Sequence, residues 1–249
     1  MLRQTQAIMG MPVTVAIRDG AGSAAHMDLV FAHFRAVDER FSPFNPASEV
    51  ARINRGEVPD DTHSLQMRAV LSLAADTCAR TQGYFNVRRP DGMLDPSGIV
   101  KGWAIQKAAL MLAELGHADF FVDAGGDIQS RGRNEDDAEW RIGIRNPFRS
   151  DQIVKVLCPR GAGIATSGSY LQGAHIYNPH RPGQAPMDIV SLTVIGPDIL
   201  EADRFATAAF AMGRQGLVFI EAMPGFEAYA IDVRGMAGMT SGLGRYLPC

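Results

Sequence analysis

Residues 95–102 read Asp95-Pro96-Ser97-Gly98-Ile99-Val100-Lys101-Gly102, so an acid, a small-residue turn and a lysine fall within eight positions. Ile105, Ala108, Ala109, Leu112 and Leu115 follow at helical spacing, with Gly116 as a stop, which places the stretch at the mouth of a predicted helix. Asp95 and Ser97 are of the types that cap unpaired backbone donors at a helix start. A helix start of small residues beside a lysine suits a phosphate group. Taken alone, the stretch reads more simply as a capped helix with a surface lysine.

A second pair is Asp203 and Thr207, one turn apart on one face of a predicted helix over 199–212. A carboxylate and a hydroxyl are the hard oxygens that Mg²⁺ takes, completing its shell with water and phosphate oxygens. Taken alone, the helix reads more simply with the two as a solvated or capping pair. His175, in a small-residue context, has the chemistry of a general base for a hydroxyl nucleophile, although a lone histidine is more often structural. Three small-residue turns, at 97–98, 125–126 and 166–168, can bring backbone groups to a ligand. None is GxGxxG after a strand and none is GxxxxGK[ST], which disfavours nucleotide binding by those two devices.

The elements that must position these residues follow from periodicity. Val13, Val15 and Ile17 alternate with polar residues in a strand over 11–18. Met27, Val30, Phe31, Phe34, Val37 and Phe41 mark an amphipathic helix, broken by Ser42-Pro43-Phe44-Asn45-Pro46. Residues 48–54 read as a turn or two of helix, and 64–80 as a long one. Short strands are expected at 120–122, 140–144, 153–157, 189–195 and 226–233, with a short helix near 217–222. Strands and helices mix without strict alternation, which argues an α+β fold rather than a doubly wound sheet.

The 249 residues are 46% hydrophobic and 20% charged, the range of globular proteins with a sizeable core. A net charge of −3 gives no basic surface for nucleic acid. Cys78, Cys158 and Cys249 form no CxxC pair, and their odd number gives no disulfide framework, so a reducing compartment is the simpler expectation. The start, Met1 to Gln6, lacks the apolar run of a signal peptide, and no uninterrupted apolar stretch is long enough to span a bilayer.

Eight short motifs, in order along nearly the whole chain, resemble the ApbE family, the FAD:protein FMN transferases. They are Met9-Gly10-Met11, Ser48 to Asn54, Gly83 to Asn86, Asp95 to Gly102, Ala124 to Asp127, Ala165 to Gly168, His175 to Pro179 and Ala202 to Thr207. The resemblance implies one α+β domain over residues 1–249, of mixed sheets and packed helices around a central FAD cleft. It implies Mg²⁺-dependent transfer of FMN from FAD to a threonine or serine hydroxyl of a partner protein, with release of AMP. By position, the Gly98 carbonyl, Asp203 and Thr207 match the metal ligands. Asp95 and Lys101 match nucleotide contacts. Met9, Phe44, Tyr84, Phe85 and Asn86 match the cofactor pocket, and His175 matches a base or transition-state contact.

The sequence departs from the family pattern in four places. Asn86 and Asn178 stand where aspartate is usual, and Phe44 where tyrosine is common. The segment between Phe85 and Asp95 is nine residues, the mark of a short-form member. Without the signal and lipid-bearing cysteine of exported relatives, a cytoplasmic location without a membrane anchor is expected. FAD hydrolysis to FMN and AMP, and FAD binding without catalysis, are the alternative expectations.

Overall fold

The computed structural model describes residues 1–18, 23–168, 178–180 and 188–248. In chain order the elements are β1 (Leu2–Ile8), β2 (Met11–Ile17), α1 (Ser23–Phe41), α2 (Glu49–Asn54), α3 (Leu65–Arg80), α4 (Ser97–Glu114), β3 (Phe120–Ala124), β4 (Asp127–Arg131), β5 (Ile142–Asn146), β6 (Arg149–Leu157), β7 (Gly163–Gly168), β8 (Ile189–Gly196), α5 (Ile199–Ala211), α6 (Gln215–Glu221), β9 (Glu227–Asp232) and β10 (Ala237–Met239). Eight strands form one antiparallel sheet in the order β1-β2-β3-β4-β7-β8-β9-β10, and β5 and β6 form a separate ribbon. The α+β expectation holds.

Alternation along the strands divides the apolar residues between two layers. Val13, Val15, Val122, Ala165, Leu192 and Val194 face the helices and join Phe31, Phe34, Ile105 and Phe205 in the main core. Ile128, Ile164, Ile195, Tyr229 and Ile231 face the other way and are covered by Ile142 and Ile144 of the ribbon. α5 buries eleven of its thirteen residues, so it has almost no solvent face, and its polar side chains must meet other elements. No described helix is long and apolar enough to cross a membrane.

Two hairpins shape one end of the sheet. Met9 and Gly10 join β1 to β2 with φ of 56° and 72°, and Gly125 and Gly126 join β3 to β4 with φ of 63° and 97°. Positive φ at both central residues is the mark of the type I′ turn, whose twist matches that of the strands. The left-handed region costs a non-glycine residue about 1–2 kcal/mol, so Met9 carries strain that Gly10 does not. The two turns touch: a Cβ on Gly125 would lie 2.9 Å from the Met11 sulfur. β7 runs antiparallel to β4, so its C-terminal residues, Thr166 to Gly168, reach the same end.

Four strands are absent from the sequence reading, among them β7, whose Thr166, Ser167 and Gly168 read as a small-residue turn because only Ile164 and Ala165 make an apolar step. β1 lies at the sheet edge with Arg3, Gln4 and Thr5 exposed, so it lacks an apolar rhythm. β4 turns Asp127 and Gln129 to the helix face, where an apolar residue is expected, and β10 has three residues. The strand expected from Trp140 begins at Ile142. Trp140 stacks on Phe121 at 5.5 Å instead and donates its indole N–H to the Arg131 carbonyl.

Candidate active site

The mouth of α4 is fixed by backbone clamps. The Asn54 side chain donates to the Leu94 carbonyl at 2.9 Å and accepts the Leu94 N–H at 2.7 Å, tying the chain before α4 to the end of α2. Pro96 occupies the cap position, and Asp95 Oδ1 accepts both the Ser97 N–H and the Ser97 hydroxyl. Asp95 thus caps the helix as expected, whereas Ser97 is its first residue and donates.

Behind that mouth α4 meets α5 at unusually close range. Gly98 and Gly102 lie one turn apart on the contact face. A Cβ on Gly98 would meet Phe85 and Thr207 at 3.2 Å, and one on Gly102 would meet the Asp203 Cβ at 2.6 Å and the Ile199 carbonyl at 3.0 Å. Glycine at these two positions is what lets polar groups of α5 reach the backbone of α4. Asp203 Oδ2 accepts the Gly102 N–H at 2.7 Å, and the Thr207 hydroxyl donates to the Gly98 carbonyl at a long 3.5 Å.

Lys101 is not a surface lysine. Its ammonium lies 2.6 Å from Asp127 Oδ2 and 3.7 Å from Asp203 Oδ1, with both carboxylates almost fully buried. Asp127 Oδ1 accepts the Thr166 N–H, which ties the acid to β7. Asp127 Oδ2 is buried and faces the ammonium without an aligned hydrogen bond. Burial works to lower the affinity of Lys101 for its proton, but Asp127 and Asp203 overcome it and hold the ammonium above the ordinary lysine range. Burial pushes Asp203 up to about 7; Lys101 opposes that rise and Asp127 adds to it. Asp123, on the far face of β3, is also raised, by burial first and by Asp127 in addition, against a hydrogen bond from the Gly126 N–H.

The Gly98 carbonyl, the Thr207 hydroxyl and the Asp203 carboxylate give a set of hard oxygens, and Asp127 adds the buried oxygen without an aligned donor. That chemistry fits Mg²⁺ and not a thiolate or imidazole metal. Among the described residues no group of three or more His, Cys, Asp or Glu is placed to hold a metal.

The other candidate residues lie around this cluster or away from it. Phe85 is buried against Gly98. The Met9 N–H points to Asp38 Oδ2 at 3.4 Å, in the turn beside Gly125. Tyr84 is half-buried, edge-on to His180 at 4.5 Å. Phe44 is 92% exposed, and Asn86 is an exposed turn residue whose side chain accepts the Arg88 N–H. His175 lies outside the described residues. Sequence reasoning missed Asp127 as the partner of Lys101, although it had singled out the Ala124–Asp127 turn. It also missed Asn54 and Gly102, whose motifs it quoted without roles.

A family model described as "ApbE family" matches residues 9–89 and 87–230. The FAD:protein FMN transferase of Escherichia coli strain K12 is 28% identical over 234 residues, covering 90% of this chain and 64% of the relative. That of Salmonella typhimurium is 32% identical over 155 residues, covering 59% of this chain and 44% of the relative. The chain therefore spans less than two thirds of the length of these relatives. The flavin transferase ApbE of Vibrio cholerae superposes with a TM-score of 0.86 at 22% identity, covering 99% of both chains. The ApbE protein of Thermotoga maritima gives 0.86 at 19% identity, covering 100% of this chain and 99% of that one. Together with the α4–α5 cluster at the end of an eight-stranded antiparallel sheet, the family match leads to one conclusion: the chain belongs to the ApbE family.

Proposed function

We propose that the chain transfers FMN from FAD to a threonine or serine hydroxyl of a partner protein, releasing AMP. The observation that carries this reading is the convergence of Lys101, Asp127, Asp203, Thr207 and the Gly98 carbonyl at the start of α4. Phosphoryl transfer demands positioning and charge neutralisation more than covalent help from the enzyme, and this cluster offers both. The relatives whose names state this activity support it.

In the reaction, the acceptor hydroxyl oxygen forms a bond to the FMN phosphorus. The bond from that phosphorus to the bridging oxygen breaks, and its electron pair leaves with AMP. Lys101 bears the positive charge that holds the pyrophosphate beside the α4 N-terminus, whose backbone N–H groups favour anions. Asp127 and Asp203 keep Lys101 charged and aimed. Asp203, Thr207 and the Gly98 carbonyl would hold Mg²⁺, which when bound neutralises phosphate oxygens. Asp95 orders the helix mouth that receives the nucleotide. Tyr84, Phe85, Met9 and the exposed Phe44 offer aromatic and thioether surface to the flat rings, and Asn86 offers an amide there. His175 takes the proton of the acceptor hydroxyl. A cytoplasmic setting is part of this proposal.

The test is incubation with FAD, Mg²⁺ and candidate acceptor proteins, followed by in-gel flavin fluorescence and AMP assay. Labelled acceptor with equimolar AMP is expected. FMN and AMP without labelled acceptor would make the chain a hydrolase, and unchanged FAD would make it a binder.

A further inference from the structure

His180 belongs to no part of the reaction described above, yet it makes two contacts across nearly a hundred residues of chain. Its Nε2 lies 2.9 Å from the Gln82 carbonyl, and its ring stands edge-on to Tyr84 with centroids 4.5 Å apart and planes at 65°. The Asn178 side chain accepts the His180 N–H, a local turn that presents the imidazole to this corner. Gln82 has a φ of 52°, the left-handed region that an ordinary side chain adopts only at a cost, so the corner that receives His180 is itself strained. Tyr84 and Gln82 also line an open recess of about 250 Å³, together with Thr81, Gln215, Met212, Val218 and Phe219. The exposed His180 therefore contacts two residues that line a recess of mixed polar and apolar character.

We propose that His180 is a positioning residue: it holds the Tyr84 ring in the orientation that receives a flat ring of the dinucleotide. This rests on the FAD reading given above and deepens it. An aromatic ring that stacks on a ligand contributes most when it does not have to be ordered on binding. The edge-to-face contact restrains the tilt of Tyr84, and the bond to the Gln82 carbonyl restrains the imidazole in turn. Nε2 must carry a proton to donate to that carbonyl, which the neutral ring with its proton on Nε2 and the imidazolium both allow. The effect is one of binding, because His180 touches none of Lys101, Asp127, Asp203 or Thr207 through any described contact.

The experiment compares the wild-type chain with His180→Ala, His180→Phe, Tyr84→Ala and the double variant His180→Ala/Tyr84→Ala. FAD affinity is read by quenching of flavin fluorescence, with riboflavin and AMP as separate probes, and melting temperature checks the fold. His180→Ala is expected to weaken FAD about tenfold, the loss of an aromatic contact and a hydrogen bond of ordinary strength. His180→Phe, which keeps the ring, should recover part of that loss, and the double variant should be no weaker than Tyr84→Ala alone. A parallel loss for riboflavin assigns the restrained ring to the flavin end, and a parallel loss for AMP assigns it to the adenine end. Unchanged FAD affinity in a folded His180→Ala overturns the proposal while leaving the FAD reading intact, and so do additive losses in the double variant. A wild-type chain that binds no FAD overturns both.

Discussion

Asp203 and Arg204 are neighbours on α5, and both are buried, yet they face opposite kinds of surroundings. Arg204 points to α3. Its guanidinium donates to Asp76 at 2.6 Å, to Thr77 at 3.0 Å and to Glu201 at 2.8 Å, and it lies 4.6 Å from the Phe205 ring centre. Asp203 points to α4 and shares one ammonium with Asp127. The arginine fork fixes several partners at once and is built to stay. A lysine is a point charge on a flexible stem, and here it faces an acid oxygen that lacks an aligned hydrogen bond. Both clusters neutralise charge, and each holds one buried polar atom without an aligned hydrogen bond, Asp127 Oδ2 in one and Arg204 Nε in the other, so they differ in the geometry of the cation and not in how fully they are satisfied.

Substitutions at the two neighbours break this contrast most directly. Asp203→Asn keeps size and an acceptor for the Gly102 N–H but removes the charge; the rate of flavin transfer is expected to fall by about 10²–10³-fold. Single-turnover kinetics on a variant of near wild-type melting temperature checks it. Arg204→Met is expected to do the reverse. Arg80 stays within 3.8 Å of both Asp76 and Glu201, and Asp76 is half exposed, so losing the guanidinium and its hydrogen bonds costs about 1–3 kcal/mol of stability, read by urea denaturation, with the rate of the folded fraction preserved. A folded Arg204→Met protein that has lost transfer would mean that the two clusters are not separate.

Gly102→Ala sharpens the comparison from the α4 side. The new methyl would lie 2.6 Å from the Asp203 Cβ, so the helices must move apart. Overpacking of this kind costs about 1–3 kcal/mol, and the transfer rate should fall with it because Asp203 and Thr207 move from α4. Loss of stability at full activity would show that the close approach is structural only.

The smallest effect concerns acid. The hydrogen bond from Arg204 holds the Asp76 carboxyl below the usual range. The unfolded chain then binds the proton more readily, so this contribution is present above the unfolded value and is lost as pH falls through the native one. Asp203 has the opposite sign. Raised from 3.8 to about 7, it favours the folded state in acid, and that contribution fades as pH rises through about 7. Asp76→Asn should therefore flatten the acid limb of a stability–pH profile. An unchanged acid limb would remove Asp76 from the Arg204 cluster.

Much of the frame was legible in the sequence because apolar period reports burial. α1, α3, α4 and α5 lie within a few residues of the spans read from Met27, Val70, Ile105 and their periodic partners. The family motifs likewise led to Lys101, Gly98, Asp203 and Thr207, which the fold brings together. Illegible were the strands whose residues are polar for a reason, β1 at the edge and β4 beside the cluster. Pairwise facts were also hidden. Nothing in the spacing says that Lys101 meets Asp127, twenty-six residues on, or that Asn54 clamps Leu94. Such pairings depend on sheet order and helix approach, which only the folded chain sets. The local reading of Lys101 as a surface cation failed for the same reason.

The α4–α5 cluster as a pyrophosphate site is tested most directly by comparing FAD with riboflavin, in the presence of Mg²⁺, on the wild-type chain and on Lys101→Met. Riboflavin carries the same ring system without the phosphates, so titration of flavin fluorescence isolates what the cluster contributes. The wild-type chain should bind FAD at least about a hundredfold more tightly, on the order of two charge-assisted hydrogen bonds. In a folded Lys101→Met that gap should largely close, with riboflavin affinity unchanged. Equal affinities for FAD and riboflavin in the wild type, or a gap that survives Lys101→Met undiminished, would contradict the assignment.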